Sequence, residues 1–213
     1  MMPLCAALLL LAGPPQADPD PRALIEKAAR SYRAITSFTA DFKQVIADSM
    51  IGTYESRGRI VQAGESRLAM RFTDPGGDAI VMDGEHIWVY TPSTTPGQVL
   101  RLKLPTDPTY GPNVLAWILT DPARRYESRW LRNDQVAGRG ADVVVLTPRD
   151  RSLPFREAVV WLDQFDNLPR KLEIRERGGQ VRTLTFTGVQ TGRRVGPETF
   201  AFRVPDGVRI VDQ

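Results

Sequence analysis

The stretch IVMDGEHIWVYTP, residues 80–92, contains two β-rich runs joined by an Asp-Gly pair. An Asp-Gly pair between two such runs is a strong signal for a β-hairpin. In the second run, Ile87 and Val89 would point to one side of a strand and Trp88 and Tyr90 to the other. A strand with one face in water normally alternates apolar and polar residues. Both faces of this strand must therefore be covered, either by protein on both sides or by an apolar ligand on one.

Other parts of the chain repeat the pattern of short strands and tight turns. In SRLAMRFTDP, Leu68, Met70 and Phe72 fall on one face, and Arg67 and Arg71 fall on the other. Further runs of this kind are FTADFKQVIADS, YESRGRIVQA, QVLRLKL, ADVVVLTP, REAVVWLDQ, PRKLEIRER and VRTLTFTGVQ, with turn signals such as DPGGD, DNLP and RGG between them. Many short strands with tight turns predict one large antiparallel sheet or barrel.

Two segments carry a helical pattern. In DPDPRALIEKAARSYRAITSF, Asp20 is placed to cap a helix that begins at Pro21, and apolar residues follow at helical spacing. The segment GPNVLAWILTDP predicts a short helix from Asn113 to Leu119 that is apolar nearly all round, so it must be buried or face an apolar surface. Between this helix and ADVVVLTP we predict arginine-rich turns and no strand. Their arginines are Arg124, Arg125, Arg129 and Arg132.

The predicted sheet has a wide apolar face that needs a cover. The chain offers only the N-terminal helix and the short apolar helix for this purpose. A sheet curled around them either leaves room for a lipid-sized cavity or is filled by the helices completely. The pattern of residues leaves both arrangements open.

The N-terminus fits a secretory signal peptide over residues 1–17. The stretch MMPLCAALLLLAGPPQADPDP has an apolar segment that is too short to span a bilayer, and Ala17 is a suitable small residue at its end. Cys5 is the only cysteine, so the remaining chain would contain no disulfide. We therefore expect export, and one domain over residues 18–213.

The composition favours a binding protein over an enzyme. At 42% hydrophobic and 25% charged residues it is an ordinary globular composition, and the net charge of +3 comes from scattered arginines rather than a clustered nucleic-acid footprint. His86 is the only histidine, and no G-x-S-x-G, Walker or G-x-G-x-x-G motif occurs. The acidic turn DQFDN lacks the other ligands of a calcium loop. We therefore predict no catalytic residue, no metal site, no cofactor and no nucleic-acid partner.

Several motifs occur in a fixed order along the chain. They are SFTADFKQV with its F-x-Q signature, ESRGRIVQ, RLAMRFTDP, the hairpin IVMDGEHIWVYTP, LTP at 146–148, and the closing TFAFRVPDGVRIVD. No single motif is specific, but from about Leu24 to Val211 their order and spacing resemble the periplasmic outer-membrane lipoprotein carrier proteins, the LolA family. The resemblance implies a mainly β (α+β) fold: a single curved antiparallel sheet forms an incomplete β-barrel, with an N-terminal helix and a short lid helix over an apolar cavity.

The resemblance also implies a function. Members of the family are periplasmic, use no cofactor, and bind the acyl chains of lipoproteins in their hydrophobic cavity. The implied partners are these acyl chains, an inner-membrane lipoprotein-releasing ABC transporter and an outer-membrane lipoprotein receptor, and the chain is expected to act as a monomer. The alternative is a periplasmic binder or carrier of another lipid or hydrophobic ligand on the same fold.

The predicted cavity lining combines the apolar strand faces with the lid helix. Its residues are Phe42, Leu68, Met70, Phe72, Trp88, Leu100, Leu102, Leu115, Trp117, Ile118, Leu172, Ile174, Leu184 and Phe186. One departure concerns the lid. Many members have Arg-Pro just before the strand that contains Leu68, and that arginine is thought to hold the lid closed, whereas Gly64 stands at this place here. A closed lid is therefore expected to depend on apolar contacts and on hydrogen bonds elsewhere.

Overall fold

The computed structural model describes residues 17–50, 52–105 and 111–213. The signal peptide predicted over residues 1–17 lies, apart from Ala17, outside the described residues. The elements are α1 (Pro21–Ala34), β1 (Ser37–Asp48), β2 (Gly52–Ala63), β3 (Arg67–Asp74), β4 (Gly76–Asp83), β5 (His86–Tyr90), β6 (Gln98–Lys103), α2 (Val114–Leu119), α3 (Pro122–Arg125), β7 (Tyr126–Val136), β8 (Arg139–Pro148), β9 (Phe155–Asp163), β10 (Pro169–Glu176), β11 (Val181–Thr191), a 3-10 helix (Pro197–Phe200) and β12 (Arg209–Asp212).

The strands form one 12-stranded sheet in the order β12-β6-β5-β4-β3-β2-β1-β11-β10-β9-β8-β7. Neighbouring strands are antiparallel, except that β12 pairs parallel with β6. Within the described ranges β7 and β12 do not pair with each other, so the sheet is open rather than a closed barrel. The predicted fold class is therefore confirmed, with one parallel strand added at an edge.

Helix α1 begins where the sequence predicts. The Asp20 side chain caps the helix by accepting a hydrogen bond from the backbone N–H of Arg22 at 3.0 Å, and Pro21 occupies the first turn, where a missing N–H costs nothing. One face of the helix is buried, through Ile25, Ala28, Ala29 and Tyr32. The other face carries the charged residues, as expected for an amphipathic helix on a sheet.

Helix α2 is short and buried all round. Asn113 caps it by accepting a hydrogen bond from the backbone N–H of Ala116 at 3.2 Å. Each of its six residues, Val114–Leu119, is buried. A helix without a polar face is stable in water only when it is surrounded by protein, so its position in the structure confirms what its composition predicts.

Strand β7 corrects the prediction of arginine-rich turns between α2 and β8. Arg129 and Arg132 lie within β7, and only Arg124 and Arg125 lie in the preceding helix α3. Strand β7 is an edge strand that pairs only with β8 among the described strands. Charged side chains on an edge strand block pairing with other chains. The register of β7 with β8 shifts between Trp130 and Arg132, and this shift interrupts the alternation by which a strand is recognised.

The hairpin β4–β5 is covered by protein on both faces. On one face, Met82 and Ile87 belong to the main core, which also contains α1 and α2. On the other face, Val81 packs with Phe200 and Phe202 from the segment before β12. We call the face that carries the helices the inner face and the opposite one the outer face.

Strand β3 shows the predicted alternation between these faces. Leu68 and Met70 are 1% and 5% exposed and belong to the inner-face core, and Phe72 packs against it. Ala69 belongs to the outer-face cluster. The Arg71 guanidinium, also on the outer face, lies 3.4 Å from each of two backbone carbonyl oxygens of the segment before β12. The prediction that residues 67–72 alternate strictly is therefore confirmed.

Gly58 in β2 allows a close approach of β3. A Cβ atom at this position would overlap the carbonyl oxygen of Arg71 and lie 2.8 Å from the Cα of Phe72. We therefore expect Gly58→Ala to lower the free energy of unfolding by about 1–3 kcal/mol, the usual cost of overpacking.

Gly178→Ala is the matched control for this prediction, because Gly178 has no atom within 4 Å of its Cβ position and no positive φ. It should change the free energy of unfolding by less than about 0.5 kcal/mol. Urea denaturation of both variants measures the difference. Equal stabilities would contradict the close approach of β3 at Gly58.

Candidate functional site

The candidate site is the apolar inner face together with helix α2. The predicted lining residues that belong to its core are Phe42, Leu68, Met70, Leu115, Trp117, Ile118, Leu172, Ile174, Leu184 and Phe186, and Phe72 and Leu102 pack against it. Leu100 pairs in register with Val89, which also packs against this core. The strands bring these side chains together because residues opposite one another in an antiparallel sheet point to the same side.

A row of aromatic residues crosses the middle of the inner face. Phe42 of β1 pairs in register with Phe186 of β11 on one side and with Gly58 of β2 on the other, and Gly58 pairs with Phe72 of β3. Because Gly58 has no side chain, the rings of Phe42 and Phe72 meet across it, with centroids 5.1 Å apart in an edge-to-face arrangement. Such contacts favour a fixed ring geometry. The aromatic row therefore forms a firm surface on this face.

Trp88 lies on the outer face, which corrects the prediction that it lines the inner one. Its ring stacks on Phe202 with centroids 5.5 Å apart, and its indole N–H donates to the Asp83 carboxylate at 2.7 Å. The alternation of β5 explains this position. Ile87 and Val89 fill the inner side, so Trp88 between them points outward. A buried indole N–H needs an acceptor, and the outer face provides one.

Several inner-face residues were not predicted as lining. They are Phe38, Ile60, Met82, Ile87, Phe155 and Val160. Most of them obey the same strand alternation as their predicted neighbours, so register with a known lining residue is the signal that finds them. Met82, for example, pairs in register with Leu68.

Helix α2 is fixed to the sheet at its C-terminal end by both apolar and polar contacts. The Trp117 ring lies 5.1 Å from the ring of Phe155. The carbonyl oxygen of Trp117 accepts hydrogen bonds from the Tyr126 hydroxyl at 3.0 Å and the Arg125 guanidinium at 2.8 Å. Burial raises the pKa of Tyr126 to about 12, so this hydroxyl remains a donor at every physiological pH.

The N-terminal end of α2 is held by a second set of polar contacts, which we call the Tyr32 node: the side chains of Tyr32, Gln62 and Asn113. The Asn113 amide donates to the carbonyl oxygen of Glu65 at 2.8 Å. The Gln62 amide donates to the carbonyl oxygen of Gly64, also at 2.8 Å, and to the Tyr32 hydroxyl. Tyr32 also forms a hydrogen bond with Asn113, and burial raises its pKa to about 12. The node therefore joins α1, the β2–β3 turn and the cap of α2.

The node includes the turn at Gly64, where the resemblance to the lipoprotein carriers leads us to expect an arginine. Here the backbone of the β2–β3 turn takes part instead, since the carbonyl oxygens of Gly64 and Glu65 accept the hydrogen bonds. The carbonyl oxygen of the Gln62 amide is buried and has no partner among the described residues. A buried polar network that is not fully satisfied is less stable than a complete one, so this end of the helix is the weaker attachment.

The chemistry of the site is that of apolar contact. In the described part of the chain, no group of three or more His, Cys, Asp or Glu residues is placed to hold a metal ion. Of the helices described, none has the length and apolar composition of a membrane span. What the inner face offers is a wide apolar surface under a short apolar helix.

Comparisons with known proteins agree with this geometry. Residues 33–203 match the family model described as "Outer membrane lipoprotein carrier protein LolA". The chain is 26% identical to the outer-membrane lipoprotein carrier protein of Alkalilimnicola ehrlichii, over 86% of this chain and 81% of that protein. It is 28% identical to the protein of the same name from Aeromonas salmonicida, over 84% of each.

Among solved structures, an uncharacterized conserved protein from Thermus thermophilus has the same fold, with a TM-score of 0.57 at 12% identity over 90% of this chain and 98% of that one. The family model covers most of the sheet, including the strands of the inner face and helix α2. The chain therefore belongs to the LolA family of outer membrane lipoprotein carrier proteins.

Proposed function

We propose that this protein is a periplasmic carrier that binds the acyl chains of lipoproteins on its inner face. It would receive them from the inner-membrane lipoprotein-releasing ABC transporter and pass them to an outer-membrane lipoprotein receptor, without enzymatic activity. Export through a signal peptide at residues 1–17 is part of this proposal. The observation that carries this proposal is helix α2, whose residues are all apolar and buried and which lies over the apolar face of the sheet. The chain's membership of the LolA family supports the same interpretation.

The energetics of acyl binding require a competitor for the inner face. Burial of an acyl chain contributes about 0.8 kcal/mol per methylene, so one fully buried chain supplies more than about 10 kcal/mol. A cargo bound so tightly in a rigid dry pocket would not be released to a receptor. Helix α2 covers the same surface when no cargo is bound, and cargo must displace it. The net affinity is therefore lower than the gross burial of the chain suggests.

Helix α2 is suited to be displaced because its stability depends on contacts with the rest of the protein and not on the helix itself. It has six residues, and helices this short are not stable alone in water. Its N-terminal end depends on the Tyr32 node and its C-terminal end on hydrogen bonds to the carbonyl oxygen of Trp117. These polar attachments are few, and the apolar contacts of the helix can be exchanged for contacts with acyl chains when it moves.

Native mass spectrometry of the protein purified from a periplasm tests the proposed cargo. We expect bound species whose masses match acylated lipoproteins. Phospholipids or free fatty acids in their place would favour the alternative, a carrier of another lipid. A protein that carries no acylated molecule, and takes up none when one is added, would contradict both.

A carboxylate buried among the apolar residues of the inner face should weaken acyl binding. Because a buried carboxylate without a partner is costly, we expect Leu68→Glu to weaken binding of a fluorescent fatty acyl probe by about tenfold or more. Arg71→Glu, on the outer face of the same strand, is the control and should bind the probe as the wild type does. Fluorescence titration measures both, after circular dichroism has established the folded fraction.

Phe72→Ser repeats this test at a partly exposed position of the inner face, in case Leu68→Glu does not fold. It should also weaken probe binding, by a smaller factor, because it removes apolar contact without adding a charge. Wild-type affinity in folded Leu68→Glu and in Phe72→Ser would exclude the inner face as the binding surface.

Removal of the cap of α2 should strengthen acyl binding while it weakens the fold. Asn113→Ala removes the cap and the bond to the carbonyl oxygen of Glu65, which we expect to cost about 1–3 kcal/mol of unfolding free energy. Since the helix then competes less well for the inner face, the probe should bind several-fold more tightly.

The control for the cap is Asn133→Ala, in the edge strand β7, which should leave probe affinity unchanged. Urea denaturation and probe titration of both variants separate the two effects. A destabilised Asn113→Ala protein with unchanged probe affinity would mean that α2 is ordinary core and does not compete with cargo.

A further inference from the structure

The inner face changes from apolar to polar near the hairpin that joins β1 and β2. Ile46 of β1 pairs in register with Tyr54 of β2 and with Arg182 of β11, so these side chains share a face with Phe42. Tyr54 is 54% exposed, which shows that this end of the inner face is open to solvent. We call this end the rim.

Arg182 is the one cation in the described part of this row, and its two register partners are apolar. It pairs in register with Ile46 on one side and with the buried Ile174 on the other. Two residues further along β11, the buried Leu184 continues the same face. An arginine in such surroundings can cover the apolar wall with its aliphatic stem and hold its guanidinium at the open end.

The guanidinium of Arg182 is incompletely bonded. Its Nε–H is buried and has no hydrogen-bond partner among the described residues. Its Nη2 lies 3.6 Å from Oε1 of Glu176, an ion pair that is too long for a good hydrogen bond. Buried donors normally have a partner in the protein or in a bound molecule. One donor of this guanidinium is thus without a partner and another is loosely paired with Glu176, so the group can take a further acceptor.

Two polar side chains on the inner face lie beside this arginine along the strands. Gln44 pairs in register with Leu184 and with Ser56, and its amide donates to the Ser56 hydroxyl at 3.3 Å. The rim thus presents a guanidinium, an amide and a hydroxyl immediately next to the aromatic row. An apolar wall that ends in hydrogen-bonding groups fits a ligand with an apolar tail and a polar head.

We propose that Arg182, with Gln44 and Ser56, binds the head of an acyl ligand through acceptor oxygens next to its chain, as in a carboxylate, a phosphate or an ester. This inference rests on the proposed function, since it requires that acyl chains occupy the inner face. The planar guanidinium matches two oxygens at once, which an amine cannot do. The rim therefore sets the direction in which the chain enters, with the head outward and the tail toward the aromatic row.

The test compares three probes built on the same undecane chain, each with a dansyl group at the far end. They are the free acid, its methyl ester and the corresponding alcohol. Arg182→Gln should weaken binding of the acid by about tenfold, the effect of losing a charge-assisted hydrogen bond. It should weaken the ester about two- to threefold and leave the alcohol nearly unchanged. Arg182→Lys, which keeps the charge and loses the planar fork, should lie between wild type and Arg182→Gln for the acid.

Arg175→Gln is the matched control. Arg175 is next to Ile174 in β10 but points to the outer face, where it pairs with Glu157 and Glu173. It should bind the three probes as the wild type does, and circular dichroism and thermal unfolding verify that each variant is folded.

The outcomes separate this inference from the proposed function. If the wild type binds no probe, acyl binding itself fails. If the wild type binds all three probes and Arg182→Gln has unchanged affinity for them, or equally reduced affinity for all three, the proposed acyl binding is supported. Arg182 then does not recognise the head group. A loss confined to the acid and the ester supports the inference.

Discussion

The inner face of the sheet has to be kept from water, and in the part of the chain that the structure describes helices α1 and α2 cover it. Helix α1 covers part of it through four buried residues, and the six residues of α2 are buried against the same core. The remaining features of the site depend on how small this helical cover is. Under the proposed function, α2 is small enough to leave this face and be replaced by an acyl chain, which a wider cover would not allow.

Apolar and polar contacts of α2 have different roles. The apolar residues supply most of the stabilisation, because burial of a large side chain contributes about 1.5–3 kcal/mol, but they do not specify a direction. The hydrogen bonds at its two ends specify where the helix lies, through Asn113 at the start and the carbonyl oxygen of Trp117 near the end. At Gly64, where many relatives are expected to have an arginine, the turn contributes only its backbone. Apart from the Arg125 guanidinium, the groups that fix the position of α2 are neutral, and salt does not screen their hydrogen bonds.

Strand alternation made much of this structure predictable from the sequence. The faces of β3, the hairpin at residues 80–92 and the caps of α1 and α2 follow from local rules that the structure obeys. The prediction for Trp88 is wrong because Ile87 and Val89 already fill the inner side of β5, which leaves the outer side for Trp88. Strand β7 is not evident from the sequence because its register shifts between Trp130 and Arg132, so the residues that share a face are not evenly spaced along the chain. The Tyr32 node joins residues far apart in sequence, and no local signal exists for it.

The parallel pairing of β12 with β6 has a consequence for how the protein folds. Arg101 of β6 and Asp212 of β12 form an ion pair between residues 111 positions apart, and β1 pairs with β11 across a similar span. Pairings this distant close large loops and form slowly compared with local hairpins. Before β12 pairs with β6, the edge of β6 and the apolar outer face beneath Phe200 and Phe202 are exposed. A chain in which β12 is not yet paired is therefore the form that associates most easily with other chains.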